Sequence, residues 1–135
     1  MKKLRFLSAL LIITISASSQ STEDIQNILH LCFEHAEMNT EEHLNDAGIP
    51  VLVIVDNGVL PNDLSLMWFD NPVEYKTRQI VVDENVKAYI AFDSFTPNDS
   101  HAEAGFSYFR MKDNSAQHFI LKFTKVGNNW INTSD

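Results

Sequence analysis

The chain has 135 residues and a formal net charge of −8 at neutral pH, because 18 acidic residues outnumber 10 basic ones. A hydrophobic fraction of 44% is typical of one folded domain and argues against an intrinsically disordered chain. The acidic balance argues against a nucleic acid or an anionic membrane surface as the partner, since both are negatively charged.

Residues 1–19 have the three regions of a cleaved export signal. Three basic residues lie within the first five positions, and Phe6 to Ile15 follow as a mostly apolar run. The run is roughly half the length that spans a bilayer, and the small residues Ser16 to Ser19 suit a signal peptidase. We therefore expect residues 20–135 to form a single periplasmic or extracellular domain with no membrane anchor after cleavage.

The first element predicted after this signal is a helix that begins at Ser21, whose hydroxyl can cap the first turn. Apolar residues then recur at spacings of three and four and form one stripe: Ile25, Ile28, Leu29, Cys32, Phe33 and Ala36. Cys32 is the only cysteine, and its place on the stripe predicts a buried, unreactive thiol. A second, short helix is predicted from Asn39 or Thr40 to about Asp46.

Strands are predicted in the middle of the chain. Val51–Val55 is an unbroken aliphatic run, which indicates a strand that is buried on both faces. Leu64, Leu66 and Trp68 alternate with other residues and indicate a second strand. Val73–Val82 is predicted to form a third strand with a bend or a bulge.

The last third of the chain has the alternation typical of an antiparallel meander with one buried face. Its strands are predicted at 86–93, 104–112, 117–126 and 130–131, and the interval Ser94–Ala102 is predicted as the longest loop. The fold class is therefore α+β, with an N-terminal helix packed on a mainly antiparallel sheet. The predicted core includes Ile25, Leu29, Cys32, Phe33, Ile54, Ile90, Phe92, Phe119, Leu121 and Phe123.

One helix, a broken middle region and a meander that closes on Lys125-Val-Gly-Asn-Asn-Trp130-Ile131 resemble small exported domains of the cystatin-like and nuclear-transport-factor-2-like group. The resemblance covers about the last fifty residues and the first helix, and Val51–Tyr75 does not follow it. It implies a curved sheet wrapped around a helix. Such families include enzymes, ligand binders and protein-binding modules, so the resemblance implies a fold and not a function.

Charge is distributed unevenly along the chain. Residues 20–75 contain eleven acidic residues and no Lys or Arg, whereas residues 76–135 contain seven of each sign. A solvated acidic face that maintains solubility is one interpretation. The other is a surface for a basic partner or a cation, with Glu34, Glu37, Glu41 and Glu42 as the candidate contact residues.

The outward face of the meander is a second candidate contact surface. If the apolar residues point inward, then Lys87, Tyr89, His118 and Lys122 point outward, and we expect Tyr108 and Arg110 to join them. Aromatic residues beside cations are frequent in protein interfaces. A normally decorated sheet face is the alternative interpretation.

For two groups of polar residues, a chemical role is a weaker interpretation than a purely structural one. His30, Glu34 and Glu37 could share one metal ion, but His30 and His35 lie five residues apart and diverge around a helix. Asp93 and His101 could serve in acid–base catalysis, but polar residues in one exposed loop need no such explanation. We therefore predict no metal, cofactor or catalytic residue.

The leading functional hypothesis is an exported, non-enzymatic binding module that contacts a protein or a small ligand. An exported immunity protein or inhibitor that neutralises a basic partner is one alternative. A small hydrolase or isomerase with a pocket in the curved sheet is another. The sequence favours a binding module over an enzyme, and it leaves the oligomeric state open.

Overall fold

The computed structural model describes residues 21–61 and 63–134. The predicted signal at residues 1–19 lies outside the described residues. The fold is α+β, with one main helix and a mostly antiparallel sheet of six strands. This helix begins at Thr22 and so does not stand at the start of the chain. None of the helices in the described segments has the length and apolarity needed to cross a membrane.

The main helix, α1 (Thr22–His35), forms as its sequence predicts. The Ser21 hydroxyl accepts a hydrogen bond from the Asp24 amide at 3.0 Å, which satisfies one free donor of the first turn. The second predicted helix is a single 3₁₀ turn, Thr40–His43, which Asn39 caps by accepting from the Glu41 amide at 3.0 Å. It ends before Asp46 because Leu44 is extended and bridges to Pro50.

The sheet has the strand order β4-β1-β5-β6-β7-β8. Its members are β1 (Val53–Val55), β4 (Glu74–Lys76), β5 (Ala88–Pro97), β6 (His101–Arg110), β7 (Ser115–Val126) and β8 (Asn129–Asn132). β1 pairs in parallel with β4 and β5, and the last four strands form the predicted antiparallel meander. A separate hairpin joins β2 (Met67–Trp68) to β3 (Asn71–Pro72).

The prediction of one strand over Val73–Val82 is wrong in its second half. After β4 the chain forms α2 (Arg78–Asp83). The Thr77 hydroxyl accepts from the Ile80 amide at 3.3 Å and caps this helix. The β-branched residues of this segment favour a strand, but they form a short helix because Val81 then packs against the sheet.

The predicted long loop Ser94–Ala102 is also wrong. A register shift between Phe92 and Ser94 lets β5 continue to Pro97, so only residues 98–100 form the turn. The Asn98 side chain accepts from the amides of Ser100 and His101 at 3.1 and 2.8 Å. This side chain replaces the backbone partners that a longer loop would need.

The core lies between α1 and one face of the sheet. Eight of the ten predicted core residues are buried, while Ile25 and Phe119 are half-buried at its margin. Phe92, Phe106 and Phe123 are fully buried at its centre. On the opposite face, Val81 of α2 packs with Val53, Val55 and Ala91, and the half-buried side chains of Val86 and Tyr89 border this second cluster.

Asp24 connects the first helix to the last hairpin. Its carboxylate accepts from Trp130 Nε1 and from Lys125 Nζ, each at 3.1 Å. The hydrogen bond from Trp130 is the main cause that lowers the pKa of Asp24, and Lys125 adds to it. The ends of the described fold are thereby tied together.

Candidate functional site

The predicted contact residues lie in three separate places. Glu34 and Glu37 border a groove at the end of α1. Glu41, Glu42 and Arg110 line a second cleft, where Tyr108 also bonds to Glu42. Tyr89, His118 and Lys122 belong to the outer sheet face, by their register in the strands.

The groove lies between α1 and the β2–β3 hairpin and has a volume of about 380 Å³. Its walls combine aromatic, thioether and carboxylate side chains: His30, Phe33, Glu34, Glu37, Met38, Met67, Trp68 and Phe69. No Lys or Arg occurs among these lining residues. A cationic side chain with an apolar stem would therefore find both of its parts accommodated.

Two groove residues are held in a left-handed backbone conformation. Glu37 has φ +51° just beyond α1, and Phe69 has φ +49° at the tip of the hairpin. The other non-glycine residues with positive φ in the described segments are Asp or Asn, which tolerate this conformation. A bulky aromatic and a long carboxylate do not, so both positions are locally strained.

Phe69 presents its ring to solvent despite its size. Phe69 is 62% exposed, and its ring forms a T-shaped pair with the Trp68 ring, with centroids 4.9 Å apart. Phe69 and Asp70 are the two residues of the hairpin loop, and both have positive φ. Asn-Gly is the usual sequence for such a turn, so the geometry of the turn does not explain a Phe at position 69.

A polar network crosses the base of the second cleft. His43 Nε2 lies 2.8 Å from the Tyr108 hydroxyl, which donates to Glu42 Oε2 at 3.1 Å. Arg110 Nη1 lies 3.5 Å from Glu42 Oε1, and Arg110 Nη2 lies 2.7 Å from Asp113. The 3₁₀ turn is thereby fixed to β6 by one continuous set of contacts.

The hydrogen bonds of this network determine which ring nitrogen of His43 carries the proton. Because the Tyr108 proton points to Glu42, the hydroxyl oxygen accepts from His43, whose Nε2 therefore carries the proton. Burial lowers the pKa of His43 to about 4, so the ring is neutral near pH 7. Burial, followed by the negative charge of Glu42, raises the pKa of Tyr108. His43 Nδ1 is buried and has no hydrogen-bond partner among the described residues.

Three predictions about these residues are corrected. Tyr108 is only 2% exposed and lies on the inward face with Phe106 and Ala104, because residues two apart on a strand share a face. Arg110 follows in the same register and reaches Glu42 instead of the outer face. Glu42 is 16% exposed and is held in this network, so it is not part of an open acidic surface.

Tyr89, His118 and Lys122 lie on the outer sheet face, as predicted. Tyr89 and His118 contact different partners. The Tyr89 ring stacks on Phe109 with centroids 5.0 Å apart. His118 Nδ1 lies 3.0 Å from Ser107 Oγ and 3.5 Å from Asp93. Both partners share one ring nitrogen, so this is not the arrangement in which a histidine activates a serine.

Asp93 and His101 do not form a common site. His101 opens β6, whereas Asp93 lies at the β5 bulge opposite Gly105 and Phe106. Four strand positions separate them along β6, which is roughly 13 Å at the usual rise. Both residues are exposed, and the interior of the sheet is filled by Phe92, Phe106 and Phe123.

Sequence reasoning missed Phe69, Met67 and His43. Phe69 stands before Asp70-Asn71-Pro72, a turn-forming segment in which an aromatic residue is unexpected, and that was the available signal. His43 has no local signal, because its burial depends on Trp68 and Tyr108, which pack against its ring from distant positions.

Across residues 21–61 and 63–134, no group of three or more His, Cys, Asp or Glu side chains is arranged to hold a metal ion. Comparisons of the chain with protein-family models, with curated proteins and with solved structures give no match. The function is therefore inferred from the shape, strain and charge of the clefts.

Proposed function

We propose that this protein is an exported, non-enzymatic binding module that holds a basic segment of a protein partner in the groove between α1 and the β2–β3 hairpin. The bound segment carries a Lys or Arg beside an apolar side chain. Glu34 and Glu37 bind the cation, while Phe69 and Met67 pack against the apolar part.

The strain at Glu37 and Phe69 is the observation that carries this proposal. Each left-handed non-glycine residue costs on the order of 1–2 kcal/mol, and both lie on one groove of about 380 Å³. Strained residues cluster at functional sites, where the surrounding structure holds them in place. A groove formed only to bury α1 would not require an exposed phenyl ring at its rim.

Charge supports the choice of a basic partner. The groove lining contains two carboxylates and no Lys or Arg. Opposite charge increases the association rate and loses its effect as the screening length falls to about 8 Å at physiological salt. An exported immunity protein or inhibitor that neutralises a basic protein is the most specific form of this function.

The fold is compatible with this use. A helix packed on a curved sheet, as the resemblance to cystatin-like and nuclear-transport-factor-2-like domains implies, also occurs in protein-binding modules. The hydrolase alternative is less well supported, because Asp93 and His101 do not share a pocket.

To test this proposal, a displayed library of random peptides is screened for binding to the purified protein at low salt. Enriched peptides should combine Lys or Arg with an aromatic or aliphatic residue. For a selected synthetic peptide, Phe69→Ala should weaken binding at least about tenfold. The double variant Glu34→Gln with Glu37→Gln should slow association several-fold at low salt and little at 0.5 M salt, a change that screening predicts.

The control is the pair Asp99→Asn with Glu103→Gln, which removes two exposed charges far from the groove. It should leave peptide binding unchanged. Selection of neutral peptides, or equal weakening by the control and the groove variants, would contradict the proposal.

A further inference from the structure

Three basic residues lie together at the end of β5 and β6 that is remote from the β5–β6 turn. Lys87, Arg110 and Lys112 line an open cleft of about 400 Å³ together with Met111 and Asn39. They are three of the seven Lys and Arg residues between residues 20 and 135. The size is within the range of small-molecule sites.

The backbone fixes the position of Lys87 opposite Met111. The Met111 amide donates to the Lys87 carbonyl at 2.7 Å, which extends the pairing of β5 and β6 by one step. Lys112 is the next residue after Met111. Lys87 therefore starts from the hydrogen-bonded end of the strand pair, and Lys112 starts from the turn at residues 111–114.

The charges of these lysines are not compensated within the described part of the protein. All of its ion pairs involve Lys76, Arg110, His118 or Lys125, and none involves Lys87 or Lys112. Glu42 lines the same cleft but already binds Tyr108 and Arg110. Exposed Glu41 is the remaining carboxylate of the lining.

The polar network of His43 lies beside this cleft and shares Glu42 with it. An adjoining cleft of about 370 Å³ shares Glu42 and Lys87 with the first and is also lined by His43. His43 is 5% exposed, and its Nδ1 acceptor has no partner. His43 is not among the residues that line the cleft of Lys87 and Lys112, and a carboxylate anion has no proton to donate to Nδ1, so this acceptor is not one of the proposed contacts.

We propose that the cleft bounded by Lys87 and Lys112 binds a small organic anion, a carboxylate or a phosphate, with an apolar body. The two ammonium groups hold the anionic oxygens. Met111, which is 42% exposed, contacts the apolar body. This site is separate from the α1–hairpin groove and does not depend on the function proposed for that groove.

The test titrates the purified protein with benzoate, phenyl phosphate and inorganic phosphate and follows backbone amide shifts by NMR. Shifts should concentrate at residues 87 and 110–112 and saturate for at least one aromatic anion. Benzamide has the same body without the charge and should cause no such shifts. Benzoate against phenyl phosphate decides which anion is preferred, and inorganic phosphate alone measures the contribution of the charge.

Lys87→Gln and Lys112→Gln should each weaken the binding of the aromatic anion at least fivefold. Lys122→Gln removes an exposed cation of the outer face and is the matched control, which should leave affinity unchanged. Dispersed shifts, equal binding of benzamide, or equal loss in the Lys122 variant would overturn the proposal. The groove variants at Glu34, Glu37 and Phe69 should not affect this titration.

Discussion

The imidazole Nε2 of His43 donates a hydrogen bond to the Tyr108 hydroxyl across 2.8 Å, although the two residues are 65 positions apart in the chain. The rings also stack at a centroid distance of 5.6 Å. Trp68 meets the His43 ring from another side at 4.9 Å. One histidine therefore joins the 3₁₀ turn, the β2–β3 hairpin and β6.

The stability of the domain should fall between pH 6.5 and pH 4. Burial lowers the pKa of His43 from 6.5 to about 4, so over this interval the unfolded chain binds a proton that the folded protein excludes. The contribution is complete above pH 6.5 and is lost as the pH falls through 4, with a size of about 3 kcal/mol. Urea denaturation at pH 7.5, 6 and 4.5 measures it.

His43→Gln provides the control, since glutamine does not titrate in this range. Its free energy of unfolding should be lower at pH 7.5 and should change less between pH 7.5 and 4.5. The lowered pKa of Asp24 acts in a different interval, because that carboxylate stabilises the fold above its ordinary value of 3.8 and loses this effect in stronger acid. Equal stability of the natural protein at pH 7.5 and 4.5 would refute the assignment of His43.

Tyr108→Phe should destabilise the protein by about 2 kcal/mol. The change leaves His43 Nε2 without an acceptor and Glu42 Oε2 without a donor, and unsatisfied buried groups cost about 1–3 kcal/mol. Tyr89→Phe is the matched control, because half-buried Tyr89 makes a ring contact with Phe109 that the substitution retains. A comparable loss in both variants would show that the Tyr108 hydroxyl has no special role.

Glu37→Gly should raise the free energy of unfolding by about 0.5–1 kcal/mol, because glycine adopts the left-handed conformation at φ +51° without strain. Glu37→Ala removes the same charge but keeps the strained Cβ, so it should not stabilise. Thermal and urea denaturation of both variants would separate these effects. A destabilising Glu37→Gly change would show that the side chain supports the fold.

Cys32 should react slowly with a thiol reagent in the native protein. It is fully buried on α1, and burial raises the pKa of its thiol to about 12. Labelling should accelerate by roughly 10³-fold or more in denaturant, as the small unfolded fraction of a stable domain implies. A variant with Cys32→Ala and Ser100→Cys places the thiol at an exposed turn and should label rapidly under native conditions.

Local patterns predicted the elements whose packing repeats along the chain. The three-and-four spacing of Ile28, Leu29 and Cys32 specifies α1, and strict alternation specifies most of the meander. The pattern failed where one side chain changed the local outcome. Thr77 caps a helix within a β-branched segment, and Asn98 closes a turn that composition suggested was a loop.

The candidate sites were less predictable, because they depend on contacts between distant segments. Glu34 and Glu37 were predicted as contact residues, and they do border one groove. Their aromatic neighbour Phe69 comes from a hairpin more than thirty positions away. The position of Tyr108 required the register of β6, which remained ambiguous because the aromatic residues at 106, 108 and 109 fall on both faces of the strand.

The link from Asp24 to Lys125 and Trp130 also constrains how the domain is made. It closes contacts over 101 and 106 positions, and long-range closure slows folding because chain entropy is lost before the contacts form. Neighbouring strands of the meander can pair early. The Asp24 carboxylate in the first turn of α1 can bind Lys125 and Trp130 only after the last hairpin has been synthesised. Final docking of the helix therefore follows the synthesis of residues 125–130, so until then α1 lacks the contacts that join it to the last hairpin.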